Sequence, residues 1–514
     1  MSSTVESVSP LRRFVKKPAT IASVVVLAIA ALTLLYPSTP SYDQWAWIVW
    51  GREIIQFDLQ TTGGPSWKPL PMLFTVPFAL FGGAAPDLWL VFARAGALMS
   101  FLLAFVLAGR LCEAAWGESD APRRSWVAVV AGTVAVGMVA LQLGYLRYAA
   151  YGESEGLVNA AGFAAILWHL NRNYKAALLA ASAVALMRPE MWPFLGVYGL
   201  WLWFARPEVR RWLIGCGVAI PVLWFIPEYI GSGDFFRAAS RAKQPSLNSP
   251  AFADIPFIQT IENGAKIIPH VLQPLILLPL PFVAWAAWRR RWAPLVLLLL
   301  ATLWIVLVAG MTQAGFAGNR RYLLLATSLL CVLAGFGVGS VLVLVRKAAA
   351  ALNPKLVPVA TAAFVLLAGV VATTNVTEAR LKPYKRLETA LKRDAERRSQ
   401  LWVAVDLAGG RNRVIECGTV TTERYQVPRL AWVLNVHTLD VEGRPVDSTG
   451  AQRAPTQGTA FQTASPRSDG PRPLPPIGSR ELGEVGPWKV FQICADGKPS
   501  QAVGDALARG TRAD

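Results

Sequence analysis

The chain has 514 residues, of which 54% are hydrophobic and only 16% are charged. Charged residues make up roughly 25% of ordinary soluble domains, so this composition excludes a typical soluble enzyme and indicates a protein solvated largely by lipid. The net charge of +18 would suit nucleic acid, but no basic stripe interleaved with aromatic residues is present. An uneven distribution of Lys and Arg between the two sides of a membrane explains the charge better.

The chain contains eleven predominantly apolar runs that reach or approach the roughly 20 residues needed to cross the core of a bilayer. No small-residue cleavage site follows the first run, so we expect it to remain as an anchor rather than a signal peptide. The three runs between residues 157 and 204 are short and are expected to be tilted, broken or half-spanning. The predicted spans lie near residues 19–36, 88–111, 126–143, 157–170, 176–188, 192–204, 212–229, 267–288, 292–311, 322–345 and 356–374.

The basic residues predict the orientation of these spans, because cytoplasmic loops are enriched in Lys and Arg. The loops on the side of the N-terminal Arg12, Arg13, Lys16 and Lys17 are short and basic, whereas the longer loops on the other side hold fewer basic residues. We therefore expect a cytoplasmic N-terminus at 1–18, a transmembrane domain at 19–374, and an extracytoplasmic domain at 375–514.

The predicted extracytoplasmic domain is a small α+β unit. It opens with a charged helical stretch, and LWVAVDLA, RVIECG and WKVFQICA are predicted to be strands. The segment 447–480 is rich in Pro, Ser, Thr and Gly and is predicted to be disordered. Cys417 and Cys494 are the two cysteines of this domain and are expected to form a disulfide. Two free thiols are the alternative, and no spacing typical of a metal site is present.

The first external loop, residues 37–87, is the most informative segment for function. It is long and aromatic, with Asp43 among Tyr42, Trp45, Trp47 and Trp50 just beyond the first span. The rings are typical of an interfacial aromatic belt and Asp43 of a helix N-cap. Alternatively, a carboxylate at the mouth of a helix bundle, beside rings such as Trp45 that can stack on sugars, is placed for general-base catalysis. We favour the second interpretation for Asp43.

Charged residues in other predicted external segments point to the same compartment. Glu153 and Glu155 open an apolar helix, and ionisable groups at that depth usually face an interior cavity. Arg188, Arg320 and Arg321 lie in predicted external segments, although Lys and Arg are enriched on the cytoplasmic side. Guanidinium groups suit a lipid-linked phosphate. The alternatives are solvated or salt-bridged acids, arginines that reach toward lipid head groups, and an ion pair between Arg188 and Glu190.

The layout resembles the GT-C class of membrane glycosyltransferases. The resemblance is carried by the short basic N-terminus, the acid Asp43 soon after the first span, PSWKPLPML with Lys68, the Arg-containing PDLWLVFARAGALMSFLLAF, the paired short helices up to ALMRPEMWPFL, and NRRYLLLATSLL. It covers roughly residues 10–374. Members of this class take a sugar from a polyprenyl phosphate at the outer face of the membrane.

By this resemblance, Asp43 would act as the base in an inverting transfer, and Arg188, Arg320 or Arg321 would hold the phosphate of the leaving group. Lys68, Trp45, Glu153 and Glu155 would contribute to substrate binding. Many members carry a second acid at the position after the first, where this chain has Gln44, so the pattern does not establish a metal bridged by two acids. No cofactor is identified, and a divalent metal is left as an alternative.

The implied partners are a polyprenyl-phosphate-linked sugar and a cell-envelope glycan, lipid or protein acceptor at a bacterial plasma membrane, with membrane lipids around the protein and no nucleic acid. The main alternative is a transporter or a flippase for lipid-linked saccharides, which would favour inverted repeats and half-helices at the membrane midplane. A non-catalytic envelope scaffold is a further alternative. The donor sugar, the acceptor and the oligomeric state are not determined by the sequence.

Overall fold

The computed structural model describes residues 18–123, 125–245, 249–375, 378–443, 452–463 and 472–495. The N-terminal basic residues Arg12, Arg13, Lys16 and Lys17, like parts of the segment 447–480, lie outside these ranges. The described chain consists mainly of helices, followed by a small five-stranded sheet.

The helical part confirms the predicted polytopic bundle, because every predicted span falls on one or more helices. Five helical stretches are at least 18 residues long and apolar enough to cross a membrane, and five shorter apolar helices accompany them. The α-helices up to residue 375 are α1 Pro18–Leu32, α2 Tyr42–Ile55, α3 Pro69–Ala79, α4 Ala85–Trp116, α5 Trp126–Ala140, α6 Tyr145–Ala150, α7 Glu155–Leu170, α8 Tyr174–Ala185, α9 Trp192–Ala205, α10 Arg210–Ser232, α11 Arg237–Ala242, α12 Pro256–Ala265, α13 Pro274–Leu277, α14 Leu280–Trp288, α15 Ala293–Gln313, α16 Leu324–Leu352 and α17 Val357–Asn375.

Small residues bring the central helices of the bundle close together. A Cβ atom on Gly335 of α16 would lie 2.3 Å from the carbonyl oxygen of Ala131 in α5, and one on Gly156 of α7 would lie 2.7 Å from Ala97 in α4. Such close approach is the usual way in which helices pack inside a membrane, where contacts replace the hydrophobic effect as the source of association. The contact at Gly156 also fixes the start of α7, which carries Glu155.

The segment 37–87, expected as a loop, contains the two helices α2 and α3. Its tryptophans are buried: Trp47 and Trp50 are fully buried and Trp45 is 2% exposed. Trp47 packs edge-on against Trp89 of α4, with ring centroids 5.4 Å apart. Rings in this position anchor α2 to the bundle by packing.

The last part of the described chain forms a domain of three helices and one sheet. Its elements are α18 Glu378–Leu407, α19 Gly410–Glu416, α20 Val427–Leu434, β1 Thr419–Thr422, β2 Val441–Gly443, β3 Gly458–Thr463, β4 Arg480–Val485 and β5 Trp488–Ile493. The strand order is β2-β1-β3-β5-β4, with β2, β1 and β3 parallel and β3, β5 and β4 antiparallel. The predicted small α+β domain is thus confirmed, and WKVFQICA supplies β5.

Three local predictions for this domain are wrong. LWVAVDLA ends helix α18, because Leu401, Ala404, Val405 and Ala408 repeat at helical spacing and are buried on one face. RVIECG lies largely in helix α19. The segment 447–480, predicted to be disordered, contains the central strand β3, all six residues of which are buried. The described residues of this segment form structure because β3 pairs with a strand on each side.

The domain packs directly on α2, since Val49 belongs to the same hydrophobic cluster as Leu401, Phe461 and Trp488. Polar contacts surround this core: Arg398 forms two hydrogen bonds with Asp87, at 2.6 and 3.0 Å. The domain is therefore fixed against the helix that begins with Tyr42 and Asp43.

Candidate active site

Asp43 lies in the first turn of α2 and is 9% exposed. The N-cap position belongs to Ser41, so Asp43 is not the N-cap that one interpretation of the sequence suggested. The backbone N–H of Ser41 donates to the carbonyl of Tyr151 at 3.2 Å, which places the start of α2 beside the turn that carries Glu153.

Arg321 connects Asp43 to Glu153. Its Nη2 atom lies 2.7 Å from Oδ2 of Asp43, and its Nη1 atom lies 2.9 Å from Oε2 of Glu153. The arginine stands in a short 3-10 turn, Arg320–Leu323, that leads into α16. Three segments far apart in the sequence thus meet at one guanidinium group.

Arg188 and Lys68 reach the same region from two matching backbone positions. Each residue directly precedes a proline that opens a helical segment, and each therefore has an extended backbone. The N–H of Leu70 donates to the carbonyl of Leu186 at 3.2 Å, which ties the two segments together. The two cationic side chains are consequently held near each other at the same end of the bundle.

Arg188 forms a buried ion pair with Glu155, and the two residues are 3% and 2% exposed. The partner is therefore Glu155 rather than Glu190, which the sequence suggested as an alternative. The guanidinium of Arg188 also lies 4.5 Å from the ring centroid of Tyr322. The second oxygen of Glu155 is buried without a hydrogen-bond partner among the described residues.

Lys68 is 8% exposed and makes no hydrogen bond or ion pair with the described residues. Its ammonium group lies 5.3 Å from the ring centroid of Trp47. Burial, together with the positive charges of Arg188 and Arg321, lowers the pKa of Lys68 to about 8. An anionic ligand would relieve this situation, because it would place a negative charge in direct contact with an ammonium group that no described carboxylate contacts.

The two carboxylates bound to Arg321 differ in their pKa. Burial would raise the pKa of Asp43, but Arg321 and Lys68 outweigh it and hold that pKa below its ordinary value. Burial raises the pKa of Glu153, and Glu155 and Asp43 add to this effect against the opposing charge of Arg321. Asp43 is thus the carboxylate that is more firmly ionised.

The structure places two other predicted residues away from this cluster. Arg320 donates to Oδ1 of Asn263 at 3.3 Å and lines a separate cleft of about 520 Å³. Trp45 is buried against the C-terminal domain, with the guanidinium groups of Arg398 and Arg429 at 5.7 and 5.8 Å from its ring. Its position is that of a packing residue.

Cys417 and Cys494 form a disulfide in the structure. Within the described ranges, no three residues of the types His, Cys, Asp and Glu gather in a way that could hold a metal ion. The charges around Asp43 are instead balanced by arginine and lysine.

Sequence reasoning missed the role of Arg237, which organises the loop before Lys68. Its guanidinium donates to the carbonyls of Pro65 at 2.9 Å and Thr62 at 3.0 Å, and it pairs with the fully buried Glu228 at 3.4 Å. A basic residue between two predicted spans carries no sequence signal for such a function, because backbone carbonyls are available everywhere.

The second missed residue is His437 of the C-terminal domain. Its Nδ1 atom lies 2.9 Å from Oε1 of Glu53, which is 1% exposed, and its Nε2 atom lies 3.3 Å from Asp58. The residues are 384 positions apart, so no local pattern could have joined them. This contact holds the far end of α2, the helix that carries Asp43.

Comparison with known proteins supports the fold. No protein-family model and no curated protein sequence matches the chain. The crystal structure of ArnT from Cupriavidus metallidurans bound to undecaprenyl phosphate is similar, with a TM-score of 0.52 and 12% identity over 94% of this chain and 99% of that chain. The apo structure of the same protein gives a TM-score of 0.49 at 13% identity with the same coverage.

A likeness at this identity demonstrates a shared fold. The chain is thus a membrane-embedded helical bundle with a C-terminal domain, arranged as in ArnT over nearly its whole length. This confirms the GT-C-like architecture predicted from the sequence.

Proposed function

We propose that this protein is a membrane glycosyltransferase that transfers a sugar from a polyprenyl-phosphate donor to a cell-envelope acceptor, with inversion at the anomeric carbon. The observation that carries the proposal is the largely buried cluster of Asp43, Glu153 and Glu155 with Lys68, Arg188 and Arg321. The complex of ArnT with undecaprenyl phosphate supports the same class of donor.

Asp43 is the proposed general base. Its Oδ2 atom is occupied by Arg321, whereas its Oδ1 atom accepts no hydrogen bond from the described residues and is available to an acceptor hydroxyl. The lowered pKa keeps Asp43 ionised before the substrate binds. When the donor phosphate draws Arg321 away from the carboxylate, the pKa of Asp43 rises, and the group becomes a stronger base.

Lys68 and Arg321 are the proposed ligands of the donor phosphate. Lys68 lacks an acidic partner among the described residues, and Arg321 has two N–H groups whose geometry suits phosphate oxygens. Arg188 remains paired with Glu155 and contributes its field to the site. These preorganised cations stabilise the negative charge that develops on the leaving phosphate.

The reaction is a single displacement. The acceptor oxygen attacks the anomeric carbon while the bond from that carbon to the phosphate oxygen breaks, and the electron pair leaves with the polyprenyl phosphate. The proton of the acceptor hydroxyl passes to Asp43. Attack opposite the leaving group inverts the anomeric carbon, as in inverting glycosidases.

Transfer assays with Asp43→Asn test the proposal. The full-length protein is reconstituted in liposomes and offered a panel of polyprenyl-phosphate sugars with envelope glycan and lipid acceptors. Loss of a general base typically lowers the rate by about 10²- to 10⁴-fold, and we expect a loss in this range. Glu262→Gln is the matched control, because Glu262 is half exposed and contacts only the nearby Lys266 and Gln259 among the described residues.

Undiminished transfer by Asp43→Asn would rule out this base. Movement of intact donor across the bilayer without transfer to any acceptor would favour a flippase instead.

We further propose that the cluster and the C-terminal domain face the outer side of a bacterial plasma membrane. The charge bias of the loops supports this orientation. A topology reporter inserted after residue 443 should give an extracytoplasmic signal, and a cytoplasmic signal would overturn the orientation.

A further inference from the structure

A second cluster of charged and aromatic residues lies at the far end of the short helices. Helix α7 begins with Glu155 at the candidate active site and has 16 residues, so its other end lies roughly 24 Å away at 1.5 Å per residue. There α7 ends, α8 begins, α9 ends and α10 begins. The charge bias predicts this end to face the cytoplasm.

Five cations gather at this end with little negative charge. None of them forms an ion pair with any residue in the described ranges, and the adjacent acid Glu208 is exposed. This contrasts with the active site, where two of the three cations are paired with carboxylates. The five cations are Arg172, Lys175, Arg206, Arg210 and Arg211.

Aromatic rings hold four of these cations in place. Arg206 lies 4.4 Å from the ring centroid of Tyr174 and donates to its hydroxyl at 2.9 Å. The ammonium group of Lys175 lies 3.6 Å from the ring centroid of Trp212. Arg211 shares the Trp212 ring at 5.7 Å, and Arg210 lies 5.2 Å from the ring of Trp203.

The centre of the cluster is a packed group of rings. Trp201 and Tyr198 are stacked with centroids 5.9 Å apart, and the Tyr198 hydroxyl lies 3.2 Å from Nδ1 of His169. The Arg206 guanidinium donates from Nη2 to the Tyr174 hydroxyl, and its Nη1 atom makes no hydrogen bond in the described part of the chain. A guanidinium that is oriented by rings but incompletely bonded is ready for an anionic oxygen acceptor.

We propose that this cluster binds the phosphodiester head group of an anionic phospholipid. Half-exposed tryptophans beside the cations suit the head-group level of a bilayer, where aromatic rings are enriched. Basic pockets between helices at the cytoplasmic side are able to bind anionic head groups. The site is independent of the proposed transfer reaction, because it lies at the opposite end of α7.

A second basic loop provides an internal comparison. Arg289 and Arg290 follow α14 on the side that is also predicted to be cytoplasmic, and both are exposed. Neither makes a cation–π contact within the described ranges. The segment with Arg206, Arg210 and Arg211 and the segment with Arg289 and Arg290 are thus both basic. Within the described ranges, aromatic rings orient the cations of the first segment but not those of the second.

Lipid retention by the full-length protein tests the proposal. The protein is purified in detergent, mixed with phosphatidylglycerol or phosphatidylcholine, and examined by native mass spectrometry. We expect preferential retention of phosphatidylglycerol, and an affinity at least tenfold lower in the variant Arg206→Gln/Arg210→Gln/Arg211→Gln. The control Arg289→Gln/Arg290→Gln should change the affinity less than twofold.

Two results would overturn the proposal: equal retention of both lipids, or an equal loss in the two sets of variants. Displacement of the lipid by millimolar inorganic phosphate would assign the site to a soluble anion and would also overturn it. Should the triple variant fail to fold, Arg210→Gln/Arg211→Gln matches the control in charge and carries the test at side chains nearer the surface, with a loss of at least threefold expected.

Discussion

Asp43 and Glu53 are buried carboxylates on the same helix, α2, and their surroundings shift their pKa values in opposite directions. Arg321 and Lys68 overcome burial and lower the pKa of Asp43, whereas burial dominates at Glu53 and raises its pKa despite hydrogen bonds from Gln60 and His437. The difference indicates a division of labour. One end of the helix carries the proposed general base, and the other end attaches the helix to the C-terminal domain through His437.

Replacement of Arg321 should have the largest effect on this comparison. Arg321→Gln leaves Asp43 and Glu153 side by side without their shared cation. The difference in pKa shift between Asp43 and Glu53, at the two ends of α2, should therefore vanish. We expect a loss of transfer of about 10²-fold or more. We also expect a loss of stability of about 3 kcal/mol, because breaking a largely buried pair leaves uncompensated charge.

Transfer assays and thermal unfolding in detergent measure the two effects. Arg321→Lys should recover part of the stability but little of the activity, since an ammonium group cannot bind both carboxylates through a planar fork. An Arg321→Gln protein with full activity would remove this residue from the proposed site.

The pH dependence of donor use sharpens the comparison at the Asp43 end. The pKa of Lys68 is about 8 in the free protein, so the cation is present below this pH and is lost above it. We expect kcat/KM for the donor to fall by up to tenfold per pH unit above about 8, because kcat/KM reports the pKa values of the free enzyme.

Lys68→Met should lower kcat/KM for the donor and abolish its decline above about pH 8. Lys266→Met serves as a control, since Lys266 is half exposed and pairs only with Glu262 among the described residues. A profile that keeps the same decline in Lys68→Met would assign the titration to another group.

The smallest effect is expected for the contact between Glu53 and His437, which should make the stability of the protein depend on pH. Burial lowers the pKa of His437, but the hydrogen bond and charge of Glu53, together with Asp440 and Asp58, outweigh burial and raise it above 6.5. The stabilisation by protonated His437 is therefore complete below pH 6.5 and is lost as the pH rises through the higher folded-state pKa. The raised pKa of Glu53 acts in the same direction.

We expect the protein to lose about 1 kcal/mol of stability between pH 6 and pH 9 through this contact, given the modest net contribution of a hydrogen bond from a partly exposed side chain. His437→Gln should flatten that dependence and reduce transfer only a few-fold. Thermal unfolding across this pH range measures the effect, and an unchanged pH dependence in His437→Gln would contradict it.

The sequence predicted the membrane bundle and named charged residues that the structure brings together in the candidate site, because long apolar runs and charges at their ends are local signals. Asp43, Lys68, Arg188 and Arg321 were all identified as candidates. Their pairing was not, since Arg188 chooses Glu155 over its neighbour Glu190 only after α7 and α8 have packed. Partner choice depends on tertiary structure, which no window of sequence contains.

The errors in the C-terminal domain have a similar origin. LWVAVDLA contains β-branched residues but repeats its apolar positions at helical spacing, and its burial against the sheet selects the helix. β3 lies in a polar, Pro-rich region, and its stability comes from strands on both sides. Composition predicts disorder well when a segment has no partner, but it does not reveal a partner elsewhere in the chain.

The position of Val49 in the hydrophobic core of the C-terminal domain has a consequence for biogenesis. The ribosome makes α2 long before it makes the strands around Trp488, so this core cannot close until the end of the domain has emerged. The domain expressed by itself would lack one of its core side chains and would expose apolar surface. Helix α2 can therefore pack against the C-terminal domain only after synthesis of the chain is complete. A truncated chain should be degraded by proteases before its candidate site becomes ordered.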